Sequence, residues 1–272
     1  MITDSHVHLL PPQLGRAVRR FFREHIPGPL AYPDDHQVVL AALAAVGVTE
    51  VWNLPYAHKP GVAASLNAAS AHTATAGTTR SLRVVGAATV HPGDEDPAGL
   101  VNAAVVRLGL RVLKLHCSVG RFDADDPRLD PVWRVVVARS IPTVIHVGHH
   151  VSGETYAEEL DALARVAQRF PDAPLIVAHC GHPATGRAVE LLARHASVHA
   201  DLTPRVHDPV AVADEVLEAH PERFLFGSDA PNTAVTVERS LARLSSVSDA
   251  TRTAILSGNA ARLLAAVDAS AD

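Results

Sequence analysis

Residues 142–181, PTVIHVGHHVSGETYAEELDALARVAQRFPDAPLIVAHCG, hold the pattern that decides the fold. A short β-branched run, PTVIHVG, is followed by an Ala/Leu/Arg-rich helical stretch, GETYAEELDALARVAQRF, and then by a second short apolar run, APLIVAHCG. Strand, helix, strand in that order is one βαβ unit, and the same alternation runs along the rest of the chain. Further strand candidates are ITDSHVH near residue 2, VTEVWNLP near 48, LRVVGAATV near 82 and GLRVLKLH near 109, then ASVHADLTP near 196 and RFLFGSDAP near 223. Helical patterns such as DDHQVVLAALAAVG, DPAGLVNAAVVRLG and HPATGRAVELLARH separate them, and the tail from Asp249 to Val267 reads as one more helix. Eight strands alternating with helices over about 250 residues is the count of a (β/α)8 barrel. We therefore expect an α/β fold, a single TIM barrel over residues 1–272, with an open doubly wound sheet as the main rival. One insertion interrupts the pattern, from Leu9 to Pro33 after strand 1. Its middle, GRAVRRFFRE, puts Arg16, Arg19, Arg20 and Arg23 on one helical face and Val18, Phe21 and Phe22 on the opposing side.

At 272 residues, 47% hydrophobic and 19% charged, the chain is long enough to bury a sizeable core and is neither disordered nor fibrous in composition. A net charge of −5 argues against a dedicated nucleic-acid binder. Two cysteines make no disulfide framework. No apolar stretch approaches the roughly 18 residues of a membrane span, and the start MITDSHVHLL has no secretory-leader pattern. The expectation is a cytoplasmic enzyme with a small-molecule or peptide substrate and neither a nucleic-acid nor a membrane partner; homo-oligomerisation stays open.

The histidines concentrate where a barrel keeps its chemistry. His6 and His8 close strand 1, His58 and His91 follow strands 2 and 3, and His116 closes strand 4. His146 closes strand 5 with His149 and His150 just beyond, His179 closes strand 6 with His182 just beyond, and His199 sits in strand 7. That is 11 of 17 histidines at or near strand ends, which in a parallel barrel converge on one mouth. A lone histidine is better read as a satisfied core residue, but eleven together point to metal binding. Strand side chains alternate faces, so His6 pairs with His8 and Lys114 with His116, while Cys117 and Cys180 turn toward the helices as packing residues. In strand 8, Leu225, Gly227 and Asp229 share a face, and Gly227 leaves space beneath the aspartate.

Five motifs in barrel order resemble the amidohydrolase superfamily: Asp-Ser-His-Val-His, Lys-Leu-His, Ile-His-Val-Gly, Ala-His-Cys-Gly and Phe-Gly-Ser-Asp-Ala-Pro. More narrowly, the chain is similar to the amidohydrolase-related (type 2) branch, whose members tend to end in the motif found here at Gly258 to Leu264. The resemblance covers nearly the whole chain. It implies that His6, His8 and Asp229 bind a divalent metal. It also implies that His146 and His179 bind a second ion in binuclear members; in mononuclear ones, one joins the first ion and the other meets substrate or water. Some binuclear members bridge the ions with a strand 4 lysine carbamylated by CO2, and Lys114 stands at that strand. The type 2 branch is often mononuclear.

Such a site lowers the pKa of bound water from about 15.7 to about 7. Asp229 is then suited to take the water's proton and pass it to the leaving group, with His179 or a second ion polarising the scissile carbonyl. Zn2+ is the expected cofactor, one ion or two, with Mn2+ or Fe2+ as alternatives. All but two of the 24 basic residues are arginine, so a lysine among the proposed ligands suggests a requirement for the amine: a carbamylated Lys114, or a plain ion-pairing partner, in about equal measure. His116, His182 and Arg20 are the substrate-side candidates. For the arginine face as a whole a solvated surface is the favoured reading. Asp201 and Thr203 either reach substrate or only cap the barrel top, and Asn53 and Asn232 are mouth residues without a role; Glu158 and Glu159 read as helix surface charges. The resulting expectation is a metal-dependent hydrolase that cleaves an amide, lactam, ester or lactone of a small molecule or modified peptide. The alternative is a non-oxidative decarboxylase of the same branch, with one metal and no carbamate. Metal-dependent deoxyribonucleases with a strand 1 HxH resemble the chain less, since they carry a glutamate where Lys114 stands. A site closed by four protein ligands would mark a non-catalytic metal module instead.

Overall fold

The computed structural model describes residues 1–26, 28–149, 155–156, 158–207 and 210–269. Eight parallel strands follow one another around a sheet: β1 (Ile2–Val7), β2 (Val48–Asn53), β3 (Arg83–Thr89), β4 (Val112–His116), β5 (Thr143–His146), β6 (Leu175–Val177), β7 (Val198–Asp201) and β8 (Phe224–Leu225). Beyond its two regular residues β8 closes the ring on β1. Ser5 N donates to Phe226 O (2.9 Å), Asp229 N to His6 O (2.8 Å) and His8 N to Ala230 O (2.8 Å). This is the (β/α)8 barrel, closed and not doubly wound.

Most strand residues are buried on both faces, so apolar residues dominate β3 to β6, whereas β1 carries the buried polar side chains of Thr3, Asp4, Ser5 and His6. Trp52, Leu54, Val85, Ala87, Val112, Val144, Ile176, Ala178 and Leu225 form an inner core. Residues of the other parity, among them Val51, Leu113, Leu115, Ile145, Val177 and Ala200, join the outer core with the helices. Cys117 and Cys180 belong to that outer core. Moving two residues along the inner parity from Val112, Val144 and Leu225 leads to Lys114, His146 and Gly227, so the apolar core gives way to a polar layer at the carboxyl ends of the strands.

The main helices are α1 (Pro12–His25), α2 (His36–Ala45), α3 (Ala63–Gly77), α4 (Pro97–Leu108), α5 (Asp130–Ala138), α6 (Glu158–Arg169) and α7 (Thr185–Arg194), followed by the shorter α8 (Asp214–Ala219), α9 (Val237–Ala242) and α10 (Asp249–Thr253) and by α11 (Asn259–Ala269). The tail is one continuous helix, as expected, with a π turn at Ala254–Gly258 between α10 and α11. The π turn lets Ile255 O accept from Phe226 N (3.1 Å), while Asn259 Nδ2 donates to Pro221 O and Phe224 O, both at 2.8 Å. Ala260, Leu263 and Leu264 thereby reach the inner core and plug its apolar end.

Two further expectations change. The helix after β5 starts at Glu158 rather than Gly153, because Gly148–His149 and Thr155–Tyr156 pair as short antiparallel strands; residues 150–154 and 157 lie outside the described residues. Glu159 is buried rather than a surface charge, its Oε2 accepting from Gly148 N (2.8 Å). Burial pushes its carboxyl up to about 7. The insertion after β1 forms α1. Phe22 is buried, and Arg19 donates to the carbonyls of Pro231 (2.7 Å) and Tyr32 (2.6 Å), tying the helix to the loop beyond β8.

Candidate active site

The site begins with three side chains of one parity on β1. Asp4 is fully buried, and its Oδ1 accepts from the backbone of Ser228 (2.9 Å) and of His6 (3.2 Å). Burial pushes this carboxyl up to about 7. His6 Nδ1 donates to Asp201 Oδ2 (2.9 Å), and His8 Nδ1 donates to the Leu54 carbonyl (2.7 Å). From β6, His179 Nδ1 faces the Thr203 carbonyl at 3.2 Å. Each imidazole spends its Nδ1 proton on an oxygen acceptor, which makes Nε2 the basic nitrogen, and this is the arrangement that orients histidine ligands around a metal. Burial, with Lys114 and His8 beside it, holds the His6 imidazole well below its ordinary value, so the ring is neutral.

Asp201 links these parts. Besides holding His6, its Oδ1 accepts from the backbone of His179 (2.8 Å) and of Thr203 (3.2 Å). His179 and Cys180 have φ of 52° and 45°, and Asp229 has φ of 65°. Left-handed backbone at non-glycine residues costs about 1–3 kcal/mol each and concentrates at functional sites. Here it turns two strand ends inward. The glycine two residues before Asp229 is required: a Cβ at Gly227 would lie 2.1 Å from Thr203 Oγ1 and 2.9 Å from His6 Cβ. The gap expected beneath the aspartate is thus filled by Thr203.

Donor atoms of His6, His179 and Asp229 lie within 4.8 Å of one another, the one such group among the described residues. His8 adjoins it, with Nε2 3.1 Å from Asp229 Oδ1. With the His8 proton committed to Leu54, a lone pair and a carboxylate oxygen face each other there. Two acceptors at that distance need a proton or a metal cation between them, and neutral imidazole nitrogens with a carboxylate are a fitting donor set for a divalent ion. Burial pushes the Asp229 carboxyl above its ordinary range, while the hydrogen bond from His8 and the charges of His8 and Lys114 pull it back.

Lys114 reaches the same place, its Nζ 3.2 Å from His6 Nε2 and wholly buried. Burial lowers its amine to about 8 against the pull of Asp201 and Asp229. The register sets His116 opposite His146 on neighbouring strands, and their rings stack at 3.9 Å. A closed circuit of six rings results: His8 to His6 (5.0 Å), His6 to His179 (4.9 Å), His179 to His146 (4.9 Å), His146 to His116 (3.9 Å), His116 to Tyr56 (5.1 Å) and Tyr56 to His8 (5.6 Å).

The fold therefore assembles His6, His8, Lys114, His116, His146, His179 and Asp229 in one place. His182 is half-buried one turn beyond His179, its backbone N donating to His179 O (3.0 Å). Arg20 is exposed on α1, lining an outer groove with Arg16, Arg19, Arg23, Asp34, Asp35 and His36. His91 is bound to local backbone at Gly120 and Gly93, and Asn53 Oδ1 accepts from Leu9 N (2.8 Å). His199 lies deeper in the barrel, against Ser197 O and Arg262, and not at the mouth. The His149 side chain and His150 fall outside the described residues. Sequence reasoning missed Tyr56, although it continues the inner parity of Trp52 and Leu54.

Comparisons with known proteins agree with the barrel fold. An uncharacterised TIM-barrel protein from Bordetella bronchiseptica is similar at 19% identity over 98% of this chain and 99% of its own, with a TM-score of 0.74. A dihydroxybenzoic acid decarboxylase from Polaromonas, solved with bound manganese and an inhibitor, is 16% identical over 97% of this chain and 96% of its own, with a TM-score of 0.66. A dihydroorotase from Campylobacter jejuni is 16% identical over 96% of this chain and 82% of its own, with a TM-score of 0.63. Identities this low establish a shared fold. No curated protein matches the sequence. The amidohydrolase family matches residues 3–265, nearly the whole chain, so the chain belongs to the amidohydrolase family.

Proposed function

We propose that this chain is a metal-dependent enzyme that removes the carboxyl group of a small, monoanionic acid without oxidation. The observation that carries the reading is that the donors converge on a single centre, His6, His179 and Asp229 with His8 at its edge, while His146 stacks on His116. His6, His8, His179 and Asp229 would hold the ion. When bound, a divalent ion supplies a positive anchor for substrate oxygens and, in hydrolytic relatives, an activated water. Manganese, present in the Polaromonas neighbour, suits this N/O donor set as well as zinc does.

The residues around the centre fit an acid. Lys114 is a buried cation where Asp201 already serves His6, so the loaded site carries a net positive charge that a carboxylate balances. Asp229 projects into the pocket from the end of β8 and is the residue placed to hold and deliver a proton. In the step, the bond to the carboxyl carbon breaks and CO2 leaves; its electron pair stays on the substrate carbon, which takes one proton from Asp229, and solvent restores that proton. Asp201 keeps His6 in the ligating tautomer throughout. Several similar folds are decarboxylases of hydroxylated aromatic acids, which makes such acids the first panel to try.

A second reading, hydrolysis of an amide or lactone, is favoured by Lys114. A fully buried amine with its pKa near 8 reacts readily with CO2, and the carbamate would bridge a second ion toward His146. Metal analysis with a substrate panel separates the two. One ion per chain, and CO2 release from 2,6-dihydroxybenzoate or a related acid that stops on chelation and returns with Mn2+ or Zn2+, is the expected result. Two ions per chain, a carbamate carbon signal after loading with 13C-labelled CO2, and turnover of lactones or amides alone would replace decarboxylation with hydrolysis.

A further inference from the structure

Tyr56 lies three residues beyond β2 and closes the circuit of rings, edge-on to His8 at 5.6 Å and 5.1 Å from His116. Its ring is buried, the residue being 9% exposed, while its hydroxyl has no hydrogen-bond partner among the described residues and is not enclosed by protein, so the oxygen opens on the space beside the rings. A buried aromatic ring with its polar end left to solvent is one whose hydroxyl is available to a ligand. A phenylalanine would make the same ring contacts without that donor. A phenol keeps its proton at neutral pH, so the hydroxyl is a neutral donor. An uncommitted donor next to a metal-binding imidazole is placed to meet an oxygen that arrives with the substrate.

We propose that the Tyr56 hydroxyl donates a hydrogen bond to a substrate oxygen that is anionic, or becomes so during reaction, beside His8 and across from Asp229. This rests on the reading of the site as one for a small acid, and it names the group that recognises that acid's oxygen. Donors aimed at developing negative charge are worth about 10²–10³ in rate in enzymes that use them.

The chain has three tyrosines, Tyr32, Tyr56 and Tyr156, so uniform fluorotyrosine labelling gives three 19F signals. Tyr56→Phe identifies one by its loss, and should that variant fail to fold, Tyr32→Phe and Tyr156→Phe identify it by elimination. Metal-loaded protein titrated with 2,6-dihydroxybenzoate is expected to move the Tyr56 signal with the midpoint found by calorimetry. Tyr56→Phe is expected to keep its metal content while kcat falls about 100-fold and KM changes only a few-fold. An unmoved signal with calorimetric binding intact, or wild-type turnover in Tyr56→Phe, overturns the role of Tyr56 and leaves the acid-binding reading in place. Loss of metal in Tyr56→Phe also overturns it, since the hydroxyl would then serve the metal site and not the substrate. A wild-type protein that binds no acid of the panel removes the reading itself, and the assignment with it.

Discussion

Asp201 controls more of the site than its distance in sequence from His6 suggests. One carboxylate oxygen accepts the His6 Nδ1 proton at 2.9 Å, and the other accepts the backbone protons of His179 and Thr203. In Asp201→Asn the amide oxygen keeps the two backbone donors, so the amide nitrogen must face His6. Nδ1 then becomes the acceptor, the proton moves to Nε2, and the ligating lone pair is lost. Metal affinity is expected to fall about 10–100-fold with little change in unfolding midpoint, measured by competition against a chromophoric chelator. Unchanged affinity would show that His6 does not ligate through Nε2. The parity of β1, β4 and β8 made His6, His8, Lys114, His116 and Asp229 legible from sequence, because side-chain alternation is local. The tie from Asp201 to His6 crosses the barrel, and no local pattern encodes it. Glu159 shows the converse: helix periodicity gives no sign that the chain beyond β5 returns a backbone N–H to it.

At the scale of elements, strand count and order were readable because each strand is a short apolar run between clear helical patterns. The ends were not. Strand 8 reads as a long run, yet only Phe224–Leu225 is regular, since the residues beyond spend their backbone groups on β1 and on Ile255. The tail reads as one helix and is one, but composition carries no mark of its π turn. Its position matters, for it puts Asn259 where one side-chain amide satisfies Pro221 O and Phe224 O at the start of β8. Asn259→Ala removes the donor for both, and a buried carbonyl left without a partner costs about 1–3 kcal/mol. Urea unfolding of Asn259→Ala is expected to show a loss of about 2 kcal/mol at unchanged m-value, with metal content retained, because the polar layer lies at the other end of the strands. A loss of metal equal to the loss of stability would mean that the floor and the mouth of the barrel are coupled.

For the molecule as a whole, acid stability reports buried groups placed far apart. His199 is enclosed with Arg223 and Arg262 near the barrel floor; burial, then those two cations, lowers its imidazole to about 4. Unfolding returns it to its ordinary value near 6.5, so between those limits the unfolded chain binds the extra proton. This contribution is complete above about pH 6.5 and is lost as pH falls toward 4, by about 1.4 kcal/mol per unit of pKa and so on the order of 3 kcal/mol in all. Glu159 has the opposite sign. Burial raises its carboxyl from 4.5 to about 7, so the folded chain holds the extra proton and its contribution is lost as pH rises through that window. The two slopes offset each other in the wild type between about pH 4.5 and 6.5, and single variants uncover them. Relative to wild type, His199→Gln should be least stable at neutral pH and regain ground toward pH 4, whereas Glu159→Gln should gain ground from pH 4.5 to 7. Urea midpoints at four values between pH 4.5 and 7.5 measure both differences. Should either difference stay constant across that range, the group concerned titrates alike in the folded and unfolded chains, and its burial is not what sets its charge.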